Sequence, residues 1–420
     1  MTTLDAIVRA SAAGGAFLRG GARPFSAAGA APRRVVCAGV APAFDDLSLD
    51  ELRARRSAKW ATYPADVLPA WVAEMDFALA EPVRAALQGA LDRDDCGYPS
   101  PGALGDAFAG FAGRRHGWSV DPAAVMLAGD VVVAIAESLR LLTAPGDGVV
   151  VNPPVYPPFF STIRALDRRV VEAPLAATPA GWELDLDALE RAFADGARTF
   201  LLCNPHNPSG RVFTRAELEP VAALAGRYGV TVVADEIHAA LTLSGATFVP
   251  FATLGLARTV TITSASKAWN LAGLKCAVIV PEAALRDELA PAQTLRYHAG
   301  HLGVLASVAA YEHGEPWLDE LVAYLDGNRR AVGELVAQLL PSVHYVPPEG
   351  GYLAWLDCRA LGLGDDPSQA FLERGRVALS PGPAFGSQGR GFARLNFATS
   401  RAILTDAIGR IASAVASEGD

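Results

Sequence analysis

One stretch of the chain, residues 261–275, reads TITSASKAWNLAGLK, and the other polar signals of the sequence converge on it. The stretch begins as a strand-like run, breaks at a Ser-Ala-Ser turn and then presents Lys267. A lysine at the end of a buried strand loses solvation, which lowers its pKa and makes the neutral amine available as a nucleophile. The hydroxyls of Ser264 and Ser266 can donate hydrogen bonds to a phosphate held against the same turn.

A lysine beside phosphate donors fits pyridoxal 5′-phosphate (PLP), an aldehyde cofactor that is carried covalently on a lysine amine. A Ser-x-Ser-Lys match by itself also fits a surface lysine after an ordinary turn. The choice between the two depends on which polar residues the rest of the chain brings to Lys267.

Composition disfavours several classes of partner. The chain has 420 residues, is 51% hydrophobic, carries a formal net charge of −9 and contains five cysteines. This length allows two domains. The negative charge, without a basic stripe, disfavours nucleic acid and favours a small-molecule partner. No run approaches the roughly 18 apolar residues of a membrane helix. The cysteines form no CxxC pair and no metal-ligand spacing, which predicts no metal site and a reducing, cytoplasmic location.

Residues 1–40 differ from the rest of the chain. Ala, Gly and Ser dominate there, and Asp5 is the only acid beside several arginines. We expect a disordered extension or a misassigned start codon. An arginine-rich, acid-poor start also fits an organellar transit peptide, whereas a secretory signal would need a continuous apolar region.

Strand-like and helix-like segments alternate between residues 83 and 314. Apolar, β-branched runs at residues 149–152, 199–203, 230–234, 260–263 and 276–280 are separated by helical patterns such as 156–166 and 215–228. Runs that are apolar on both faces, with helices between them, predict a mainly parallel sheet covered by helices on both sides. We therefore predict a large α/β domain over residues 83–314.

The pattern changes after residue 314. A long amphipathic helix, short strands and a closing helix predict a smaller α+β domain over residues 315–420. Residues 41–82 are predicted to form an N-terminal arm and to complete this domain. Within the arm, residues 47–59 have the pattern of one charged helix, and residues 60–77 form an irregular, proline-punctuated segment.

Three polar residues follow the C-terminal ends of successive predicted strands. They are Asn207, Asp235 and Lys267, at spacings of 28 and 32 residues. Each spacing is about one βαβ unit. In an open α/β sheet the carboxyl ends of the strands form the ligand crevice, so these residues are expected to face one ligand.

The residue types suit PLP. A carboxylate is needed to hold a proton on the pyridine nitrogen, and Asp235 is the candidate, while the Asn207 amide can donate to the ring phenolate. Tyr156 could stack on the ring, although an aromatic residue in a proline-rich loop more often only packs. Asp235, Glu236 and His238 also form a D-E-x-H pattern, which without further ligands is weak support for a metal.

Four motifs, in this order along the chain, resemble those of a known family. The series is NPHNPSG at residues 204–210, DEIH at 235–238, SASK at 264–267 and RLNFA at 394–398. It resembles the fold-type I PLP enzymes of the class I/II aminotransferase superfamily. KWATYP at residues 59–64, WVAEMDF at 71–77, PHNP, DEIH and NFATS are similar to the MalY/PatB-type cystathionine β-lyases within it. The resemblance covers about residues 45–415 and implies a PLP-dependent transferase-like large domain with a smaller α+β domain.

The resemblance also implies roles for individual residues. Lys267 would bind the cofactor covalently, Asp235 would pair with the pyridine nitrogen, Asn207 would contact the phenolate and Tyr156 would stack on the ring. Arg394 would bind the substrate α-carboxylate through a bidentate guanidinium.

The phosphate would be held by Ser264, Ser266 and the backbone of Val131 and Val132. Tyr63 would reach the phosphate of the neighbouring subunit, which implies a homodimer. Two positions depart from the family pattern, because many aminotransferases have tyrosine at His238 and arginine at Lys275. Lys275 would then give the phosphate a point charge.

The resemblance implies β-elimination of L-cystathionine, or a related cysteine S-conjugate, to a thiol, pyruvate and ammonia. An aminotransferase acting on an amino acid shares the early steps, and cofactor motifs do not separate the two. A regulatory protein that binds a transcription factor is a further alternative, but it leaves the complete catalytic set unexplained.

Overall fold

A computed structural model describes residues 44–179 and 181–416 of the chain. The extension predicted at residues 1–40 lies outside these described residues. Within the described part, the strands are β1 Leu68–Pro69, β2 Met126–Ala128, β3 Gly148–Val151, β4 Arg169–Glu172, β5 Ala176–Thr178, β6 Gly181–Glu183, β7 Thr199–Cys203, β8 Thr231–Asp235, β9 Thr259–Thr263, β10 Ala277–Pro281, β11 His344–Tyr345, β12 Leu353–Asp357, β13 Val377–Ala378, β14 Ser380–Pro381 and β15 Phe392–Asn396.

The α-helices lie between and after these strands. In the same described residues they are α1 Leu49–Arg53, α2 Ala58–Ala61, α3 Glu81–Leu91, α4 Leu104–His116, α5 Val131–Leu142, α6 Pro157–Ala165, α7 Leu186–Ala194, α8 Arg215–Tyr228, α9 Ala265–Ala268, α10 Arg286–Leu289, α11 His301–His313, α12 Glu315–Leu339, α13 Pro367–Glu373 and α14 Arg401–Ala416. None of the helices in this part of the chain combines the length and apolar character needed to cross a membrane.

A seven-stranded sheet organises the described residues between 126 and 281. Its strand order is β2-β10-β9-β8-β7-β3-β4. β9, β8, β7, β3 and β4 pair in parallel, and β10 is antiparallel to both of its neighbours. The mainly parallel sheet predicted from the sequence is therefore confirmed.

Both faces of this sheet are buried, as the apolar strand runs predict. Val149, Val151 and Val233 contribute to the core on one face. Val150 and Val232 contribute to a separate core on the other face. Because successive side chains of a strand point to opposite faces, each strand stabilises both cores.

A second sheet, with the order β11-β12-β15-β14, is antiparallel throughout. Helix α14 packs beside α12 and α13, and β1 of the arm pairs with β13. The α/β fold class with an additional α+β part is confirmed. The domain boundaries at residues 82 and 314 stay a prediction, and the two sheets lie on either side of the second boundary.

The arm differs from its prediction in one respect. Residues 47–59 form two short helices, α1 and α2, because a new helix begins after Ser57. The break turns Lys59 inward, where only 1% of its surface is exposed. One continuous helix was therefore a wrong prediction.

Candidate active site

The central strands bring the three polar signals to one edge of the large sheet. β7, β8 and β9 are adjacent and parallel, and Asp235 lies opposite Cys203 on one side and Ile262 on the other. Asn207 follows β7 by four residues, and Lys267 lies in α9, just after β9. The strand ends therefore meet at the crevice expected for such a sheet.

Lys267 is held by a hydrogen bond to the arm. Its Nζ atom donates to the carbonyl oxygen of Ala73 at 2.8 Å. Burial lowers the pKa of Lys267 to about 8, and the positive charge of Arg394 acts in the same direction. The neutral fraction near physiological pH is therefore larger than that of an exposed lysine, as a nucleophile or a general base requires.

Asp235 is a buried carboxyl group at the end of β8, with 3% of its surface exposed. Its Oδ1 atom accepts a hydrogen bond from the Ile237 N–H at 3.1 Å. Burial nevertheless raises the pKa of Asp235 to about 7, against the opposing charge of Lys267. A cation placed beside this carboxyl group would restore its charge, so Asp235 is suited to pair with a protonated ring nitrogen.

Arg394 reaches the same crevice from β15 of the second sheet. Its Nη1 atom donates to Asn207 Oδ1 at 2.9 Å, and its Nη2 atom donates to Trp71 O at 3.1 Å and Ser380 Oγ at 3.0 Å. Its guanidinium lies 4.9 Å from the Phe385 ring centroid. Burial lowers the pKa of Arg394 to about 10. The Nε atom is buried and has no hydrogen-bond partner among the described residues, so it can still bind an anion.

Because the side-chain oxygen of Asn207 accepts from Arg394, the Asn207 NH₂ group points away from that bond and keeps its donors for another acceptor. A phenolate oxygen is such an acceptor. The contact joins residues 187 positions apart in the chain.

The N-terminus of α5 is suited to bind an anion. Asp130 caps this helix by accepting from the Val133 N–H at 2.8 Å. The amides of Val131 and Val132 belong to the first turn, where a helix lacks internal acceptors and favours a bound phosphate. Lys275 Nζ lies 2.9 Å from Asp130 Oδ2, which brings a positive charge to the same place.

The two serines before Lys267 differ in their hydrogen bonds. Ser264 donates to the Cys276 carbonyl at 2.6 Å and accepts from the Ser266 N–H at 3.0 Å, so its hydroxyl proton is already committed. The Ser266 hydroxyl is half-buried in the first turn of α9. Of the two predicted phosphate donors, Ser266 is therefore the better placed, and Ser264 mainly caps α9.

Tyr156 lies at the start of α6, with its ring edge-on to Phe159 at 5.8 Å between centroids. Burial raises the pKa of Tyr156 to about 12, and the charge of Asp235 adds to this effect. The phenol therefore stays neutral beside Asp235. Its stacking on a cofactor ring stays a prediction.

His238 is buried beside the catalytic groups. Burial lowers its pKa to about 3, and the charges of Lys267 and Arg394 contribute. Its Nδ1 atom has no hydrogen-bond partner among the described residues. A neutral imidazole with a free ring nitrogen is available to a ligand in the crevice.

Tyr63 lies outside this group. It is half-buried, with its ring edge-on to Trp71 at 5.9 Å between centroids, and burial raises its pKa. The predicted contact with a neighbouring subunit stays a prediction.

Sequence reasoning missed Tyr352 and the backbone of Ala73. The Tyr352 hydroxyl donates to Ala73 O at 3.1 Å, next to Lys267, and its ring lies edge-on to His238 at 6.1 Å between centroids. An aromatic residue in a predicted strand gives no signal of such a role. The WVAEMDF motif marked the segment that contains Ala73, but not which of its atoms matter.

These residues fit PLP. The site contains a lysine with a lowered pKa, a buried carboxyl group with no cation hydrogen-bonded to it, and a helix N-terminus beside Lys275. It also contains two buried nitrogen atoms without partners in the described part of the chain, at Arg394 and His238. No group of three or more His, Cys, Asp or Glu residues suited to a metal occurs within residues 44–179 and 181–416.

Fold and site together define a PLP-dependent enzyme of fold type I. The model of the family "Aminotransferase class I and II" matches residues 72–411. The chain therefore belongs to this family, and the predicted resemblance and cofactor are confirmed.

Relatives with recorded activities support the same branch. The chain is 40% identical to cystathionine beta-lyase PatB of Bacillus subtilis over 360 residues, which is 83% of this chain and 93% of that protein. It is 38% identical to the cystathionine beta-lyase of Corynebacterium glutamicum, over 87% of this chain and 98% of that protein. The crystal structure of the PLP-bound C-S lyase from Staphylococcus hominis superposes with a TM-score of 0.83 at 26% identity, covering 89% of this chain and 98% of that one.

Proposed function

We propose that this protein is a PLP-dependent C–S β-lyase. It converts L-cystathionine, or a related cysteine S-conjugate, and one water molecule into a thiol, pyruvate and ammonia. The observation that supports the proposal is that Arg394 and Lys267 donate to carbonyls two residues apart, Trp71 O and Ala73 O, so that a cation suited to a carboxylate lies near an amine of lowered pKa. The similarity to two cystathionine beta-lyases over most of the chain supports the choice of reaction.

Arg394 binds and orients the α-carboxylate of the amino acid. Its buried Nε and the desolvated guanidinium favour an anion, since charge-assisted hydrogen bonds strengthen in a site that excludes water. This orientation would direct the substrate Cα–H bond towards Lys267. The neutral amine of Lys267 accepts the Cα proton and can deliver a proton to the departing sulfur.

The cofactor is held by the remaining residues. Asp235 holds the proton on the pyridine nitrogen, Asn207 donates to the phenolate oxygen, and Tyr156 packs on the ring. The amides of Val131 and Val132 bind the phosphate with the side chains of Ser266 and Lys275, while Ser264, the other predicted donor, caps α9. When bound, PLP supplies an acceptor for the electron pair that the Cα proton leaves behind.

His238 would offer a neutral imidazole to a ligand in the crevice. Its unpartnered Nδ1 and the low pKa that burial imposes make it a hydrogen-bonding group without charge.

We propose a homodimer in the cytoplasm as the working form. Tyr98 and Tyr297 expose 89% and 57% of their surfaces, so both rings are available to a second subunit. Tyr63 is proposed to reach the phosphate bound in the neighbouring subunit. A reducing compartment accords with Cys96, Cys203, Cys276 and Cys358, which are free thiols in the described chain.

Product analysis tests the reaction. Purified enzyme with PLP and L-cystathionine is expected to release thiol and pyruvate in equal amounts, and Lys267→Ala is expected to release neither. Transfer of the amino group to an added 2-oxo acid, without thiol or pyruvate, would replace the lyase proposal with an aminotransferase. Matched incubations with alanine, which has no leaving group at Cβ, measure any amino transfer separately.

A further inference from the structure

A segment outside the helices and strands lies along the crevice. Residues 71–75, here called the carbonyl strip, have five successive backbone carbonyls. Each of these carbonyls accepts a hydrogen bond from at least one side chain. The donors are Arg394 and Ser380 to Trp71 O, Asn396 to Val72 O, Lys267 and Tyr352 to Ala73 O, Asn396 and Lys59 to Glu74 O, and Asn270 and Arg55 to Met75 O.

The carbonyl strip joins the two groups that must act together. Arg394 donates to Trp71 O at 3.1 Å, and Lys267 donates to Ala73 O at 2.8 Å, two residues further along. Arg394 belongs to the second sheet and Lys267 follows the large one. The position of the strip therefore sets the carboxylate-binding group relative to the cofactor-binding amine.

A buried ion pair fixes one end of the strip. Asp76 Oδ2 lies 2.7 Å from Lys59 Nζ, and Asp76 Oδ1 accepts from Trp60 Nε1 at 2.8 Å. The side chains of the pair are 0% and 1% exposed. Lys59 Nζ also donates to Glu74 O at 3.2 Å, so the ammonium group connects the carboxylate to the strip itself. These residues, Lys59, Trp60 and Asp76, are called the clasp below.

A contribution to folding stability does not by itself explain the buried ion pair between Lys59 and Asp76. Desolvating two charges offsets much of their attraction, and apolar residues of similar volume often replace a buried ion pair without loss of stability. The cation is also unusual for this chain, in which lysine occurs only at positions 59, 267 and 275 among 36 basic residues. A compact ammonium can donate to both Asp76 and Glu74, whereas a guanidinium needs more room.

We infer that the clasp is a positioning element that holds the carbonyl strip, so that Ala73 O orients Lys267 for covalent attachment of PLP and Trp71 O orients Arg394. Lys59 and Asp76 are positioning residues, because they act through the strip. The inference uses only the cofactor part of the proposed function and is independent of whether the bound amino acid undergoes elimination or amino transfer.

The test measures the rate at which cofactor-free protein attaches PLP, followed by absorbance at saturating PLP, together with the urea midpoint. The double variant Lys59→Met/Asp76→Asn removes both charges, nearly keeps the side-chain volumes and leaves an amide oxygen as acceptor for Trp60 Nε1. It is expected to attach PLP about tenfold more slowly at an unchanged midpoint, the effect of one lost hydrogen bond to a charged group. Where substrate turnover is measurable, KM is expected to rise more than kcat falls, since Arg394 is misplaced.

Arg168→Met is the matched control. Arg168 is 9% exposed and bonds to Thr143 and Leu166, at the opposite edge of the sheet. This variant is expected to lower the midpoint and to leave the attachment rate unchanged. Attachment by the double variant at the wild-type rate, or slowed no more than in Arg168→Met, would overturn the inference.

Trp60→Phe decides the question if the double variant does not fold. This change keeps an aromatic ring, although a smaller one, and removes the donor to Asp76 Oδ1. Slower attachment at an unchanged midpoint supports the inference, and an unchanged attachment rate overturns it. A wild-type protein that attaches PLP but releases no thiol would refute the lyase proposal and leave this result intact.

Discussion

Replacing Asp235 by asparagine is expected to stabilise the cofactor-free protein at pH 8 and to leave its stability at pH 4 nearly unchanged. Burial raises the pKa of Asp235 from 3.8 to about 7. A group whose pKa is raised in the folded state contributes stability that is present below the unfolded pKa and is lost as pH rises through the folded value. The destabilising effect of its charge therefore develops between about pH 4 and pH 7.

The size of the effect follows from the pKa shift. About three pKa units correspond to about 4 kcal/mol, a magnitude that applies because the side chain is 3% exposed. Asp235→Asn removes the charge and most of this pH dependence. Bound PLP should recover much of the same free energy in the wild type at pH 8, and little in the variant, because only a carboxylate pairs strongly with a ring cation.

The assay is urea unfolding of cofactor-free wild type and Asp235→Asn at pH 4, 6 and 8. Glu373→Gln, which removes an exposed carboxyl group, serves as the control and should follow the wild type. Parallel stability curves for wild type and Asp235→Asn across this range would refute the role assigned to burial. Glu236, whose pKa burial raises to about 8, adds a similar dependence at higher pH in both proteins.

Three further outcomes are expected. Arg394→Lys should raise the substrate KM by about 10- to 100-fold with little change in the cofactor spectrum, because lysine cannot replace the guanidinium fork. Steady-state kinetics measures the KM, and absorbance measures the cofactor spectrum. An unchanged KM would contradict the role of Arg394 in carboxylate binding. Lys275→Ala should weaken PLP affinity by up to about tenfold at low salt and less at high salt, since its side chain is 56% exposed; equilibrium titration at two ionic strengths decides this. In the cofactor-free protein, the reactivity of Lys267 towards an amine-directed reagent should rise with pH and level off above about pH 8, whereas a rate that still climbs towards pH 10 would show an unshifted lysine.

Elements with strong local signals could be predicted from the sequence. Helix α8 begins at a capping box formed by Thr214 and Glu217 and ends at Gly229, which has a positive φ of 64°. Both signals are local, and the predicted bounds match the structure. Strand β7 was also predicted correctly, because its apolar residues are bounded by a polar turn.

Contacts between distant residues could not be predicted in this way. Lys59, in α2, pairs with Asp76, 17 residues away, and no local signal indicates this contact. The polar strand ends could be grouped, because parallel strands bring their carboxyl ends to one edge. The bond from Lys267 to Ala73 spans 194 residues and uses a backbone oxygen, which carries no sequence signature.

Covalent trapping identifies the lysine that carries the cofactor. Borohydride reduction of the PLP-loaded protein, followed by peptide mass spectrometry, distinguishes among the three lysines of the chain at positions 59, 267 and 275. We expect a reduced cofactor adduct on Lys267 alone, and no adduct in Lys267→Ala. An adduct on Lys275 or Lys59, or none on the wild type, would contradict this expectation.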